Sequence, residues 1–225
     1  MKQHIPNALT SANLACGFLG IIQCFEGELF VASWLILLAA VFDFFDGFVA
    51  RALKVSGEMG KELDSLADVV SFGCLPAIIL YKLIQPSQAT WAYVAVFIAV
   101  FSALRLAKFN IDKRQSDRFI GVPTPANALL IGSFPLIFYY QTEINQIIDF
   151  LPVYLAIAAI MPLLLVAELP LIALKFKNYS FTDNKFKYIL LASSVLLLLL
   201  FKFLALPLII ILYIVLSVIE NITAK

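Results

Sequence analysis

Residues Asp43 to Asp68 read DFFDGFVARALKVSGEMGKELDSLAD, and this stretch decides how the rest of the chain is understood. Its four aspartates fall as two pairs, Asp43 and Asp46 three residues apart, Asp64 and Asp68 four apart. A helix turns about 100° per residue, so each pair occupies one helical face. Asp43, Asp46, Gly47 and Ala50 share one face, and Gly60, Asp64 and Asp68 share another. Ser56 and Gly57 lie in a short polar connection that turns the chain back. Two antiparallel helix ends are therefore expected to face each other with four acids between them.

Apolar residues flank Asp43 and Asp46 on both sides. Acids embedded in apolar helices are costly to keep and mark function. Four acids together would repel one another strongly. A pair of hard divalent cations, Mg²⁺ or Mn²⁺, relieves that repulsion because such ions prefer oxygen ligands. Reading the acids as solvated charges at helix ends fits this apolar setting poorly.

The surrounding sequence supplies that setting. The 225 residues are 62% hydrophobic, with a mean hydropathy of +0.96. A soluble domain has about 45–50% apolar residues. The expected fold is an all-α, polytopic membrane bundle forming a single domain over residues 1–225. The net charge of +1, without a basic stripe, excludes nucleic acid as a partner. Cys16, Cys24 and Cys74 stand in apolar segments without metal-type spacing and read as small packing residues. His4 is isolated near the start and reads as incidental. Asn7, Thr10, Asn13 and Gly17 interrupt the first apolar segment, so no cleaved signal is expected there.

A membrane crossing takes about 20 residues. Hydropathy places spans near 8–25, 30–52, 62–84, 90–110, 124–141, 150–174, 187–203 and 205–221. That makes eight, or seven if the last two form one broken helix. Pro162 and Pro170 are expected to kink the sixth. With eight spans and both termini cytoplasmic, fourteen of the sixteen Lys and Arg residues lie inside, leaving Lys82 and Lys202 outside. Cationic residues favour the cytoplasmic side. The four aspartates then sit at the cytoplasmic face of the cell membrane.

Three further polar patches reach that face. Residues 5–17 carry Pro6, Asn7, Thr10 and Asn13, with Asn7 or Thr10 able to cap a helix start. Arg105, Lys108 and Asn110 end the fourth span, Arg105 lying deepest in its apolar run. Gly121-Val-Pro-Thr-Pro-Ala-Asn127 reads as a rigid re-entry into the membrane. The loop from Ile111 to Arg118 is cationic, and residues 175–187 hold four lysines suited to topology and anionic lipid headgroups.

The central stretch fits Asp-x2-Asp-Gly-x2-Ala-Arg-x8-Gly-x3-Asp-x3-Asp at Asp43, Asp46, Gly47, Ala50, Arg51, Gly60, Asp64 and Asp68. This resembles the signature of the CDP-alcohol phosphatidyltransferases, membrane enzymes of phospholipid synthesis. Within that family the chain is most similar to the membrane-embedded phosphatidylserine synthases. Pro6-Asn7-x2-Thr10-x2-Asn13, Ser71-Phe72-Gly73, Arg105-Leu-Ala-Lys108-Phe-Asn110 and Gly121 to Ala126 carry that closer likeness. The resemblance covers residues 5–175, a catalytic core of six helices, with residues 187–221 forming two additional helices.

The resemblance implies that Asp43, Asp46 and Asp64 hold two divalent ions, with Asp68 completing the second site and acting as general base. Pro6, Asn7, Thr10, Gly47, Ala50, Arg51, Ser56 and Gly57 would bind CDP-diacylglycerol or a CDP-archaeol-like donor. Gly57 stands where relatives often carry a small hydroxyl residue, a role Ser56 can take. Arg105 is the expected partner of the L-serine carboxylate, with Lys108 or Arg118 as alternatives. Acyl chains would stay among membrane lipids, and a homodimer is expected. Glycerol 3-phosphate or inositol phosphate are alternative acceptors, though both want a denser cationic pocket. A divalent-cation transporter is the alternative outside the family, but such sites favour the bilayer midplane and repeated helices. An intramembrane aspartyl protease would need only two acids and another glycine context.

Overall fold

The computed structural model describes residues 4–55, 57–112, 119–145, 149–173, 178 and 180–223. Among these the chain is all-α apart from one two-stranded ladder. Helix α1 (His4–Glu26) and α2 (Leu29–Leu53) form a hairpin turned by Gly27, whose φ of 88° suits glycine. Helix α3 spans Glu58–Ile84, α4 Ala89–Ile111, α5 Thr124–Tyr140 and α6 Leu151–Val166. Helices α7 (Phe181–Phe201) and α8 (Ala205–Thr223) close the chain. Among the described residues five helical segments are long and apolar enough to cross a membrane: α1, α2, α3, α4 and the interrupted stretch Phe181–Thr223.

Helix α1 begins by His4, so Asn7 and Thr10 stand within it and are not its caps. Helix α2 ends at Leu53, and the left-handed φ of 53° at Lys54 turns the following Val55 N–H back to the Ala50 carbonyl at 3.0 Å. Gly57 then enters α3 in extended conformation, so the chain reverses between the two aspartate pairs as the sequence indicates.

Helix α3 widens to a π-helical stretch over Val69–Cys74, directly after Asp68. Pro76 follows two residues later, lacks an N–H and crowds the carbonyl one turn back, which accounts for the loosened winding. The stretch is wedged between neighbours. A Cβ on Gly17 would come within 2.7 Å of the Ser71 Cα, and one on Gly73 within 3.1 Å of the Ser102 Cβ. Two glycines therefore bring α1 and α4 close to α3 at the level of the acids. Deeper in the bundle, Ile36, Phe72, Leu75, Ile79, Leu80 and Ile131 are fully buried in one apolar core.

The expected sixth span, 150–174, ends early. Helix α6 contains Pro162 but stops at Val166, and Pro170 lies in a strand. Strands β1 (Phe119–Ile120) and β2 (Pro170–Leu171) pair antiparallel, with Phe119 opposite Leu171. Gly121 N–H donates to the Leu169 carbonyl at 3.0 Å and Val122 N–H to that of Leu164 at 3.0 Å. The re-entry segment thus takes up backbone that α6 leaves unpaired. Gly121 has φ of 76°, and a Cβ there would collide with the Leu165 carbonyl.

The last two helices pack on each other and are separate, joined by a tight corner at Lys202–Leu204. The Gln141 amide fastens that corner, donating to the Phe201 carbonyl and accepting from Leu204 N–H, both at 3.1 Å. Helix α8 also holds the segment after β2. Tyr213 donates to the Ile172 carbonyl at 3.0 Å, and the Ser217 hydroxyl accepts from Ile172 N–H at 3.1 Å. Cys16 and Cys24 are buried and Cys74 half-buried, all as free thiols.

Candidate active site and metal centre

The reversal after α2 brings the two acid pairs together as their spacing requires. One carboxylate oxygen from each of Asp43, Asp64 and Asp68 lies within 4.8 Å of the others. Asp68 is buried, while Asp43 and Asp64 are half-buried. Asp46 stands beside this trio, buried, with its Oδ2 accepting from the Thr10 hydroxyl at 2.7 Å. Helix α1 reaches the second acid pair too, Asn13 Nδ2 donating to Asp68 Oδ1 at 3.2 Å. Asn13 is itself fixed, because the Ser71 hydroxyl donates to its carbonyl at 2.9 Å. The first helix therefore sets the position of one acid on α2 and one on α3.

Oxygen ligands held this close suit a hard divalent cation. Among the described residues Asp64 Oδ1 is buried without a hydrogen-bond partner, which leaves its lone pairs available to a ligand. The donor set thus fits a cation, carboxylate by carboxylate, with Asp46 adjacent.

A cavity of about 630 Å³ opens beside the acids, between the start of α1, the end of α2 and the start of α3. Asp46 and Asp64 line it, as do Pro6, Asn7, Thr10, Gly47, Ala50 and Gly57. Six of the eight residues expected to bind the nucleotide donor thus surround one space. Arg51 is exposed and folds back along its own helix, its guanidinium 3.5 Å from where a Gly47 Cβ would stand. Part of the room that Gly47 leaves is therefore covered by Arg51. Ser56 and Arg118 lie outside the described residues.

His4, Val55, Met59, Gly60 and Lys61 also line the cavity. Sequence reasoning set His4 aside, and nothing in its neighbours signals the wall it joins. Lys61 Nζ donates to the Asn110 carbonyl at 2.8 Å, and Asn110 Nδ2 to the Ser65 hydroxyl at 2.8 Å, tying α3 to the end of α4.

Arg105 is buried at 7% exposure, and one terminal nitrogen donates to the Thr124 hydroxyl at 2.9 Å. Its guanidinium lies 5.8 Å from the Phe109 ring centroid. Among the described residues no acid forms a salt bridge with it. Lys108 differs, since its ammonium pairs with Glu168 at 2.9 Å near the surface.

Fold and site together define an all-α membrane protein with an aspartate cluster beside a cavity at one end of its helices. The family model for CDP-alcohol phosphatidyltransferase matches residues 3–220, and the chain belongs to that family. It is similar to an archaetidylserine synthase of Methanothermobacter thermautotrophicus, 37% identical over 140 residues, covering 61% of this chain and 60% of that one. It is similar also to a CDP-diacylglycerol–serine O-phosphatidyltransferase of Helicobacter pylori, 38% identical over 130 residues, 56% of this chain and 54% of the relative. One of the same name from Bacillus subtilis is 36% identical over 137 residues, 58% of this chain and 76% of the relative. The chain spans little more than half the length of the first two.

Proposed function

We propose that the protein transfers a phosphatidyl group from CDP-diacylglycerol, or an ether-lipid analogue, to the hydroxyl of L-serine, releasing CMP. The observation that carries this reading is the meeting of Asp43, Asp64 and Asp68 beside a cavity lined by residues of the α1 start and the α2–α3 turn. The names of its relatives support serine as the acceptor.

In this reading two divalent cations, Mg²⁺ or Mn²⁺, would be held by Asp43, Asp46, Asp64 and Asp68. When bound they would neutralise the diphosphate and the departing CMP. The chain's own residues do the rest. Pro6, Asn7, Thr10, Gly47, Ala50 and Gly57 seat the cytidine and its phosphates in the cavity. Asp68, positioned by Asn13, takes the proton from the serine hydroxyl. That oxygen forms its bond to the phosphorus carrying the lipid, the bond from that phosphorus to CMP breaks, and CMP leaves with the electron pair. Arg105 receives the serine carboxylate as a planar fork, being the buried cation without a salt bridge among the described residues.

The same reading has eight crossings, both termini cytoplasmic, the active site at the cytoplasmic membrane face and a homodimeric assembly. The distribution of lysine and arginine supports the orientation. The test is CMP release by purified protein given CDP-diacylglycerol and Mg²⁺ or Mn²⁺, with serine, glycerol 3-phosphate, inositol phosphate or no acceptor. Release with serine alone, abolished by chelation and lowered at least a thousandfold by Asp68→Asn, is expected. Release with another acceptor would keep the chemistry and reassign Arg105. No release with any acceptor would overturn the reading.

A further inference from the structure

Among the described residues, four buried polar atoms on α4 and α5 have no hydrogen-bond partner: Ser102 Oγ, Arg105 Nε, and both Oδ1 and Nδ2 of Asn127. Ser102 and Asn127 have no solvent exposure at all, and Arg105 has 7%. Buried polar side chains are nearly always hydrogen-bonded, so such a concentration calls for a partner. Helical register and one hydrogen bond relate them. Ser102 and Arg105 stand three residues apart on α4, and Thr124 and Asn127 three apart on α5, so each pair shares a helical face. The bond from Arg105 to Thr124 joins the two faces. Gly73, about one turn beyond Asp68 on α3, sits against Ser102, which places this group beside the helix carrying the proposed base.

An unpaired amide offers one acceptor and two donor hydrogens side by side. The end of an amino acid opposite its side chain offers the complement, an ammonium beside a carboxylate. Inositol phosphate and glycerol 3-phosphate offer no such pair. We infer that Asn127, assisted by Ser102, is a specificity-determining residue that recognises the ammonium and carboxylate of the acceptor next to Arg105. The assignment rests on the serine reading and deepens it. Asn127 Oδ1 accepts from the ammonium, Nδ2 donates to the carboxylate, and Ser102 Oγ completes the ammonium's acceptors. The acceptor hydroxyl is thereby left to face Asp68.

The test compares three primary alcohols in the CMP-release assay: L-serine, 3-hydroxypropanoate, which lacks the ammonium, and ethanolamine, which lacks the carboxylate. The wild type should use serine with a KM at least tenfold below that for 3-hydroxypropanoate. Asn127→Leu should raise the serine KM at least tenfold, leave the CDP-diacylglycerol KM within about twofold, and collapse the preference for serine over 3-hydroxypropanoate. Asn127→Asp keeps an acceptor but loses the donors. It should retain that preference while still weakening serine. A merely structural role would lower kcat and the unfolding temperature without altering the ratio between the alcohols.

An unchanged serine KM in either variant, or an intact preference in Asn127→Leu, overturns the inference and leaves the serine reading standing. Should neither variant yield folded protein, the wild type alone decides. Equal use of serine and 3-hydroxypropanoate by the wild type shows no ammonium recognition and overturns it as well. Failure of the wild type to use serine at all is a separate result and overturns the serine reading itself.

Discussion

Asn13 and Thr10 show how much of this site is set by side chains outside the aspartate cluster. A hydrogen bond to a charged group contributes about 1.5–3 kcal/mol, and at 1.4 kcal/mol per decade this is roughly tenfold to a hundredfold. Asn13→Leu removes the donor to Asp68 and should lower kcat by about that factor with little change in the donor KM, read by steady-state CMP release. Thr10→Val removes the donor to Asp46 on the cavity wall, and should instead show mainly as a raised CDP-diacylglycerol KM. The four aspartates were legible because their spacing alone puts them on two helix faces. Asn13 stood in the sequence within a patch of polar residues, but its pairing with Asp68 depends on how α1 lies against α3. Ser102 and Asn127 were less legible still, since a single serine or asparagine in an apolar run acquires meaning only from the helix it meets.

Among the helices, the close approach of α1 to the π-helical part of α3 is the contact on which the acids depend. Overpacking such a contact costs about 1–3 kcal/mol. Gly17→Ala would force α1 away from Ser71, loosening its bond to the Asn13 carbonyl and lowering both thermal stability and kcat. Gly57→Ala meets nothing within 4 Å and has an extended backbone, so its unfolding midpoint should stay within about a degree of wild type. Scanning calorimetry or a fluorescence melt in detergent separates the two. Helix positions were readable from hydropathy, the reversal between Lys54 and Gly57 included. The end of α6 was not, because the apolar run continues to Ala173 while the backbone leaves the helix at Val166 to pair with β1 and to meet Gly121 and Val122. Hydropathy records the surroundings of a segment and not its hydrogen-bonding partners.

Across the whole molecule, the site sits at one end of the helices, and the proposed orientation makes that end cytoplasmic. Single cysteines introduced at Lys82 or Lys202, in a background lacking Cys16, Cys24 and Cys74, should react in intact cells with a membrane-impermeant maleimide. Cysteines at Lys61 or Lys185 should react only after permeabilisation, and the reverse pattern would invert the topology. The all-α bundle was plain from composition, while the fastening of the α7–α8 corner by Gln141 came from packing that no single segment reveals. One last feature bears on how the proposed lipid donor would reach the site. Phe44, Phe45 and Phe48, alternating with Asp43 and Asp46 on α2, face outward with 64%, 47% and 53% exposure. On the proposed function this apolar face would meet the hydrocarbon next to the acids, and the lipid donor would arrive by diffusion in two dimensions. Its effective concentration is a mole fraction in the surface, so adding inert detergent at constant bulk donor should slow turnover by surface dilution. Serine, arriving from water, should follow its bulk concentration alone.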